Sequence, residues 1–207
     1  MENESASQAG LPAPRGTTEM LPRLVLASAS PRRAEILRAV GWDFEVAPSN
    51  IDESLRDSEQ PVGYVERLAR EKAERAARGR LFGLVVGADT VVVCGGEILG
   101  KPRDAGEARR MLASLRGRWH EVLTGVALVR AEDSRAVVAH ERTRVRFAEM
   151  SDAEIEWYVA TGEPADKAGA YAVQGRAALF VEAIEGDYWN VVGLPVRLVY
   201  ELAGSFR

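Results

Sequence analysis

The chain has 207 residues, 46% of them hydrophobic and 28% charged, with a formal net charge of −4. That length allows one domain, or one domain with two lobes, around a real core, and the acidic balance excludes a protein held to nucleic acid by bulk charge while leaving room for a local basic pocket. One cysteine, Cys94, and two histidines exclude a disulfide framework and a multi-cysteine or histidine-rich metal site, and no stretch approaches the ~18 apolar residues of a membrane span.

Residues 1–22 are rich in Ala, Ser, Gly, Pro and Glu and lack the basic-then-apolar order of a secretion signal. They read as a disordered extension, and with the lone cysteine they point to the cytoplasm. Residues 23–207 read as a single domain. Leu24-Val25-Leu26 is a short strand that hands over, through Ala27-Ser28-Ala29-Ser30-Pro31-Arg32-Arg33, to an amphipathic helix. Pro31 suits the first helical turn and Ser30 the N-cap. Ser28, Ser30, Arg32 and Arg33 therefore gather where unsatisfied N–H groups favour an anion, phosphate first; the plainer alternative is a capped helix with two solvated arginines.

Asp43 to Val46 forms a second strand, and Pro48 to Gln60 is polar and loop-like. Within that loop, Asp52-Glu53 is either a solvated turn or a pair of acids at a site. Val62 to Arg78 has helical spacing. Lys72 falls beside its apolar stripe, either covering core with its stem or entering a cleft. Leu84 to Val93 is apolar on both sides, as a buried central strand should be. Asp89 lies inside it, and a carboxylate there must be paired, bind metal or open into a site. Gly87 and Ala88 leave room for a ligand to approach the backbone.

Gly95-Gly96 makes a hairpin returning through Glu97-Ile98-Leu99, with Lys101 just beyond. Asp104 caps a helix to about Leu115, with Glu107 at the capping-box position. Two long strands, His120 to Arg130 and Ala136 to Phe147, precede a capped helix from Ser151 to Ala160. Tyr171 to Gln174 and Ala178 to Ile184 read as strands, with Tyr171 a core residue, and Leu194 to Ala203 reads as a closing helix. With no repeat and no linker, the pattern predicts a mixed α/β fold with a long twisted sheet.

Two arginines and two lysines can neutralise a triphosphate. Asp89, with Asp52 or Glu53, can hold a hard divalent cation through oxygen ligands, magnesium being the first expectation. A carboxylate near such a cation can also take a proton from an attacking water. A Walker loop and a dinucleotide fingerprint are absent from the sequence. So is the Gly-x-Ser-x-Gly elbow that a serine hydrolase using His120 or His140 would need.

At these residues the chain resembles the Maf family of nucleoside triphosphate pyrophosphatases, from Leu24 to the C-terminus. The motifs are Ala27 to Arg33, Leu68-Ala69-Arg70-Glu71-Lys72-Ala73, Gly87-Ala88-Asp89-Thr90, Lys101-Pro102, Lys167 to Tyr171 with Gln174-Gly175, and Val192-Gly193-Leu194-Pro195. The resemblance implies an inosine-triphosphatase-like α/β fold, a mixed, curved sheet with flanking helices and two lobes around a cleft. It implies cleavage of a nucleoside triphosphate between the α- and β-phosphates with a divalent metal, with Asp89 as proton acceptor. Asp89 and Glu53 are then the metal partners, and Ser28, Ser30, Arg32, Arg33, Lys72 and Lys101 the phosphate contacts.

Arg32, Thr90 and Gln174 match the family type that acts on dTTP and UTP. The sister type, acting on 7-methyl-GTP, places Trp, Gln and Glu there. A Gln amide offers both a donor and an acceptor to a uracil or thymine edge, whereas Glu offers acceptors only. Space for the thymine methyl is expected near Ala170 or Ala172. Two alternatives stand beside this reading: the 7-methyl-GTP specificity, and a nucleotide-binding regulator of septum formation. The expected partner is a nucleoside triphosphate, without nucleic acid polymer or membrane; a homodimer is common in the family.

Overall fold

A computed structural model describes residues 24–206; the expected disordered extension, residues 1–22, lies outside them. The elements run β1 Leu24–Leu26, α1 Pro31–Ala39, β2 Phe44–Val46, α2 Pro61–Ala77, β3 Leu84–Cys94, β4 Glu97–Leu99 and α3 Ala105–Leu115. They continue with β5 Trp119–Arg130, β6 Ala136–Phe147, α4 Asp152–Ala160, β7 Val181–Glu185, α5 Tyr188–Val192 and α6 Val196–Gly204.

Six strands lie in the order β2-β1-β3-β5-β6-β7, and β4 pairs with β3 outside that path. β1 runs parallel to β2 and β3, and every other pairing is antiparallel. The sheet is thus mixed, and helices cover both faces. α2 lies along one of them, with Ala69 and Ala73 on Val85 and Ala127 and with Val65 on Val91 and Leu123. The alternate residues Val86, Val92 and Val122 face the opposite side, where Leu37 of α1, Leu112 of α3 and Val199 of α6 complete the larger core. The period of two along β3 therefore separates two layers.

Two glycines set how closely α2 approaches. A Cβ on Gly87 would stand 2.1 Å from the Ala69 carbonyl, and one on Gly125 of β5 would stand 2.2 Å from the Val65 carbonyl. The space at Gly87, expected to admit a ligand, is filled by the helix backbone instead. Capping follows the sequence closely. Ser151 and Glu154 form a complete capping box at α4. Asp104 Oδ1 accepts from the Glu107 N–H at 2.7 Å, but the Glu107 carboxylate accepts from Arg103 N rather than from the cap residue.

The structure corrects the C-terminal third. Tyr171 to Gln174 is not a strand. Gly169 packs against Val92 and donates its N–H to the Gly100 carbonyl at 3.0 Å, and Gly169 and Ala170 both have positive φ, so this segment seats on the β3–β4 hairpin as a loop. The predicted strand Ala178 to Ile184 begins only at Val181, after a 3-10 turn over Arg176–Phe180. The closing helix starts at Val196, after Pro195. The short helix α5, capped where Asp187 Oδ1 accepts from Trp189 N, precedes it without having been expected.

Candidate active site

β5 lines one edge of β3 from Leu84 to Val93 without a register break. The other edge is shared. β1 covers it as far as Val86, and β4 takes over at Val92. Gly87 to Val91 therefore has no strand on that side, and Asp89 stands in the middle of the gap. Diverging strands of this kind open a crevice in α/β sheets. Here the crevice is a cleft of about 340 Å³ bordered by Asp89 and Thr90.

Asp89 shares the parity of Val85 and so faces α2. Lys72, four residues beyond Leu68 on the buried stripe of α2, meets it there. Its Nζ lies 2.6 Å from Asp89 Oδ1 and 2.7 Å from Glu53 Oε1, so one ammonium draws two carboxylates together. Lys72 and Asp89 are nearly buried, while Glu53 is half exposed. The loop that carries Glu53 is tied down on α2: the Tyr64 hydroxyl donates to the Glu53 carbonyl at 2.8 Å, and Arg67 pairs with Glu59 at 2.6 Å. That pairing with the Arg67 guanidinium brings the Glu59 carboxyl down to about 2. Asp52 is turned elsewhere. Its Oδ1 accepts from the Ser54 N–H and hydroxyl, a local turn that also holds its carboxyl below the usual range. Of the two adjacent acids, Glu53 is the one at the cleft.

Across the gap sits Arg33. Its Nε donates to the Gly193 carbonyl at 2.8 Å, Nη1 to the Ala88 carbonyl at 2.9 Å and Ser28 Oγ at 3.2 Å, and Nη2 to Thr90 Oγ1 at 3.0 Å. Burial pushes the guanidinium below its ordinary value, and the Asp89 charge pulls it back in part. Ser28, expected to meet phosphate, does not border the cleft; it is buried and its Oγ accepts from Arg33 and from Ser30 N. Ser30 occupies the N-cap position of α1 without a side-chain capping bond, and borders the cleft.

Arg32, Lys101 and Gln174 also border the cleft. Among the described residues, no ion pair or hydrogen bond engages Lys101 Nζ or the Gln174 amide, and Arg32 makes only a 3.6 Å contact with Asp166. Asp166 and Lys167 are lining residues to which the sequence reading gave no role, although Lys167 opens one of its motifs. The hydrogen bond from Lys167 holds the Asp166 carboxyl below its ordinary range, with Arg32 adding to the effect. Five cations and three carboxylates thus face one cavity of an acidic chain, a local excess of positive charge.

Apolar lining comes from Val92, Val122, Ala168 and Ala172. Of the two alanines named for the thymine methyl, Ala172 borders the cleft, whereas Ala170 is fully buried outside it. Tyr171 belongs both to the cleft wall and to the core, where its hydroxyl meets His120 Nε2 at 2.9 Å and its ring meets Phe147 edge-on. Asn190 is wholly buried and donates to the Val122 carbonyl and Thr143 Oγ1.

Residues 23–206 match the sequence profile of the family described as Maf-like protein. A dTTP/UTP pyrophosphatase of Symbiobacterium thermophilum is 55% identical over 185 residues, covering 89% of this chain and 94% of the relative. Another of that name, from Moorella thermoacetica, is 55% identical over 184 residues, covering 89% and 95%. Among solved structures, the Ham1 protein of Staphylococcus aureus superposes with a TM-score of 0.53 at 14% identity, over 89% of this chain and all of that one, a likeness of fold alone.

Proposed function

The chain belongs to the Maf family, and from that membership we propose that it hydrolyses dTTP and UTP to the nucleoside monophosphate and pyrophosphate. The observation that carries the reading is Asp89, set in the gap of a buried strand and facing a cleft that also holds Lys101, unpaired among the described residues, and Arg32, held only by a 3.6 Å contact with Asp166. The names of relatives about 55% identical favour this specificity over 7-methyl-GTP, as do Arg32, Thr90 and Gln174. The cytoplasm suits such a substrate, and among the described residues no helix is long and apolar enough to cross a membrane. The homodimer common in the family is part of the same proposal, and light scattering reads it.

Asp89 accepts the proton of the water that attacks the α-phosphorus. Lys72 holds Oδ1 of that carboxylate, and among the described residues Oδ2 carries no hydrogen bond, so it is the oxygen free to take the proton. The bond from the α-phosphorus to the bridging oxygen breaks, and its electron pair leaves with pyrophosphate. Arg32, Lys101 and the Ser30 hydroxyl meet the charge that develops on the phosphate oxygens, which lowers the barrier. The Gln174 amide presents a donor and an acceptor to the pyrimidine edge.

Among the described residues no three His, Cys, Asp or Glu side chains cluster as a protein-only metal cage. The pair Asp89 and Glu53, drawn together at Lys72, does suit magnesium, which commonly takes one or two carboxylates and completes its shell with substrate phosphate and water. A divalent cation held there would neutralise phosphate charge beyond what the side chains supply. The test is a panel of nucleoside triphosphates with magnesium, with pyrophosphate and monophosphate both quantified. Pyrophosphate from dTTP and UTP at a rate well above that from purine nucleotides is expected; release of orthophosphate alone would place the chemistry at the wrong bond.

A further inference from the structure

Arg33 was expected to take a phosphate, as Arg32 beside it is. Its surroundings are different. All three of its nitrogens are engaged, and the acceptors come from three separate stretches of chain: the loop after β1, both neighbours of Asp89 on β3, and the turn between α5 and α6. Among the described residues Lys101 has no such partners, and Arg32 only one distant carboxylate.

The place of these bonds matters as much as their number. Ala88 and Thr90 flank Asp89 where β3 has lost β1 and has not yet gained β4. β5 holds the other edge of this segment, but on the open edge its backbone groups have no ladder partner. The planar guanidinium supplies donors in a rigid fork and stands where the missing strand would be. Its grip on the Ala88 carbonyl and the Thr90 hydroxyl brackets the residue between them.

We propose that Arg33 is a positioning residue, a side-chain substitute for an absent strand, which fixes Asp89 by holding Ala88 and Thr90 and anchors the Gly193 turn to the same point. Thr90 acquires a role by the same geometry. Its Oγ1 accepts from Arg33 and lies 2.9 Å from Thr124 Oγ1, so its hydroxyl is engaged by the protein. The residue at this position then influences turnover through Arg33, without offering its hydroxyl to the base.

This inference rests on the pyrophosphatase reading, and steady-state kinetics of pyrophosphate release from dTTP separate the two. A phosphate ligand works largely through its charge, so Arg33→Lys would keep much of its effect. A positioning fork is lost in Arg33→Lys and Arg33→Ala alike. We expect kcat to fall about tenfold or more in both, because small misplacements of a reacting group cost that much, with KM within about threefold of the parent. Added guanidinium ion should restore part of kcat to Arg33→Ala, and ammonium ion should not. Thr90→Val should lower kcat too, Thr90→Ser should recover most of that loss, and the double variant Arg33→Lys/Thr90→Val should lose little more than Arg33→Lys alone. These variants also serve if Arg33→Ala does not fold, which melting curves will show. A large rise in KM with kcat preserved in Arg33→Ala, and near-parent KM in Arg33→Lys, overturns the proposal and returns Arg33 to the phosphate. No pyrophosphate from the parent protein overturns the pyrophosphatase reading and this inference with it.

Discussion

Lys72 Nζ is 2.6 Å from Asp89 Oδ1, between a helix and a strand that touch only because glycines let them. Lys72 is 8% exposed and Asp89 9%. Neither charge is well hydrated, so each depends on the other, and Glu53 gives the ammonium its second acceptor. The pair both holds the site together and limits how Asp89 can move.

Breaking that pair from either side should give different results. Lys72→Met leaves two carboxylates facing each other, one of them buried, and should lower stability by about 3 kcal/mol. Asp89→Asn leaves Lys72 paired with Glu53, so the protein should fold and melt close to the parent while losing most pyrophosphate release. Urea unfolding and kinetics on both variants read the contrast. Turnover near that of the parent in Asp89→Asn would remove Asp89 from the proton-accepting role.

Gly87→Ala tests the seat of α2. The added methyl would meet backbone, the Ala69 carbonyl at 2.1 Å and the Ala73 nitrogen at 2.7 Å, which no rotamer can relieve. The helix must shift, at roughly 1–3 kcal/mol for overpacking, and Lys72 shifts with it. Lower stability together with lower kcat is expected. A stable variant with full turnover would show that the Lys72–Asp89 distance is not critical.

Much of this arrangement was legible in the sequence because local patterns carried it. The apolar run around Asp89 defined a buried strand, the stripe on α2 placed Lys72 at its margin, and Ser151 with Glu154 marked a helix start. The sequence is silent where a residue's surroundings depend on distant chain. Arg33 resembles Arg32 in sequence, yet Gly193 and Ala88 claim it across 160 and 55 residues. Nothing local marks Ser28 as its acceptor, or Asp166 and Lys167 as wall residues opposite α1. Tyr171 to Gln174 has strand-like composition, but β4 already pairs with that end of β3 and Gly169 fixes the segment against Val92 as a loop.

His120 should make stability depend on pH. It is 2% exposed, and burial brings its pKa from 6.5 to about 4, with the Arg118 backbone offsetting part of the shift. Above pH 6.5 the ring is neutral in both folded and unfolded chains, and its contribution is complete. As pH falls from 6.5 towards 4 the unfolded chain takes up a proton that the folded one refuses, so stability declines, levelling off below the folded value. The interval corresponds to about 3 kcal/mol. His120→Phe removes the titrating group, so the difference in unfolding free energy between parent and variant should change across this window. A constant difference would mean that the ring is accessible to protons in the folded state.

Gln174→Glu isolates base recognition from phosphate binding. Among the described residues the Gln174 amide is unpartnered, so the substitution breaks no internal hydrogen bond and should leave melting almost unchanged. It removes the only donor this side chain has and adds a negative charge. A pyrimidine edge that presents an N–H between two carbonyls would then lose a hydrogen bond at one carbonyl and face a carboxylate instead. The hydrogen bond lost is worth about 0.5–1.5 kcal/mol, and with a carboxylate facing the carbonyl in its place a loss of tenfold or more in kcat/KM for dTTP and UTP is expected. Phosphate contacts are untouched, so inhibition by inorganic pyrophosphate should be the same in both proteins. Unchanged kcat/KM for both pyrimidine nucleotides would place the base elsewhere in the cleft, against the apolar wall of Val122 and Ala172 rather than at Gln174.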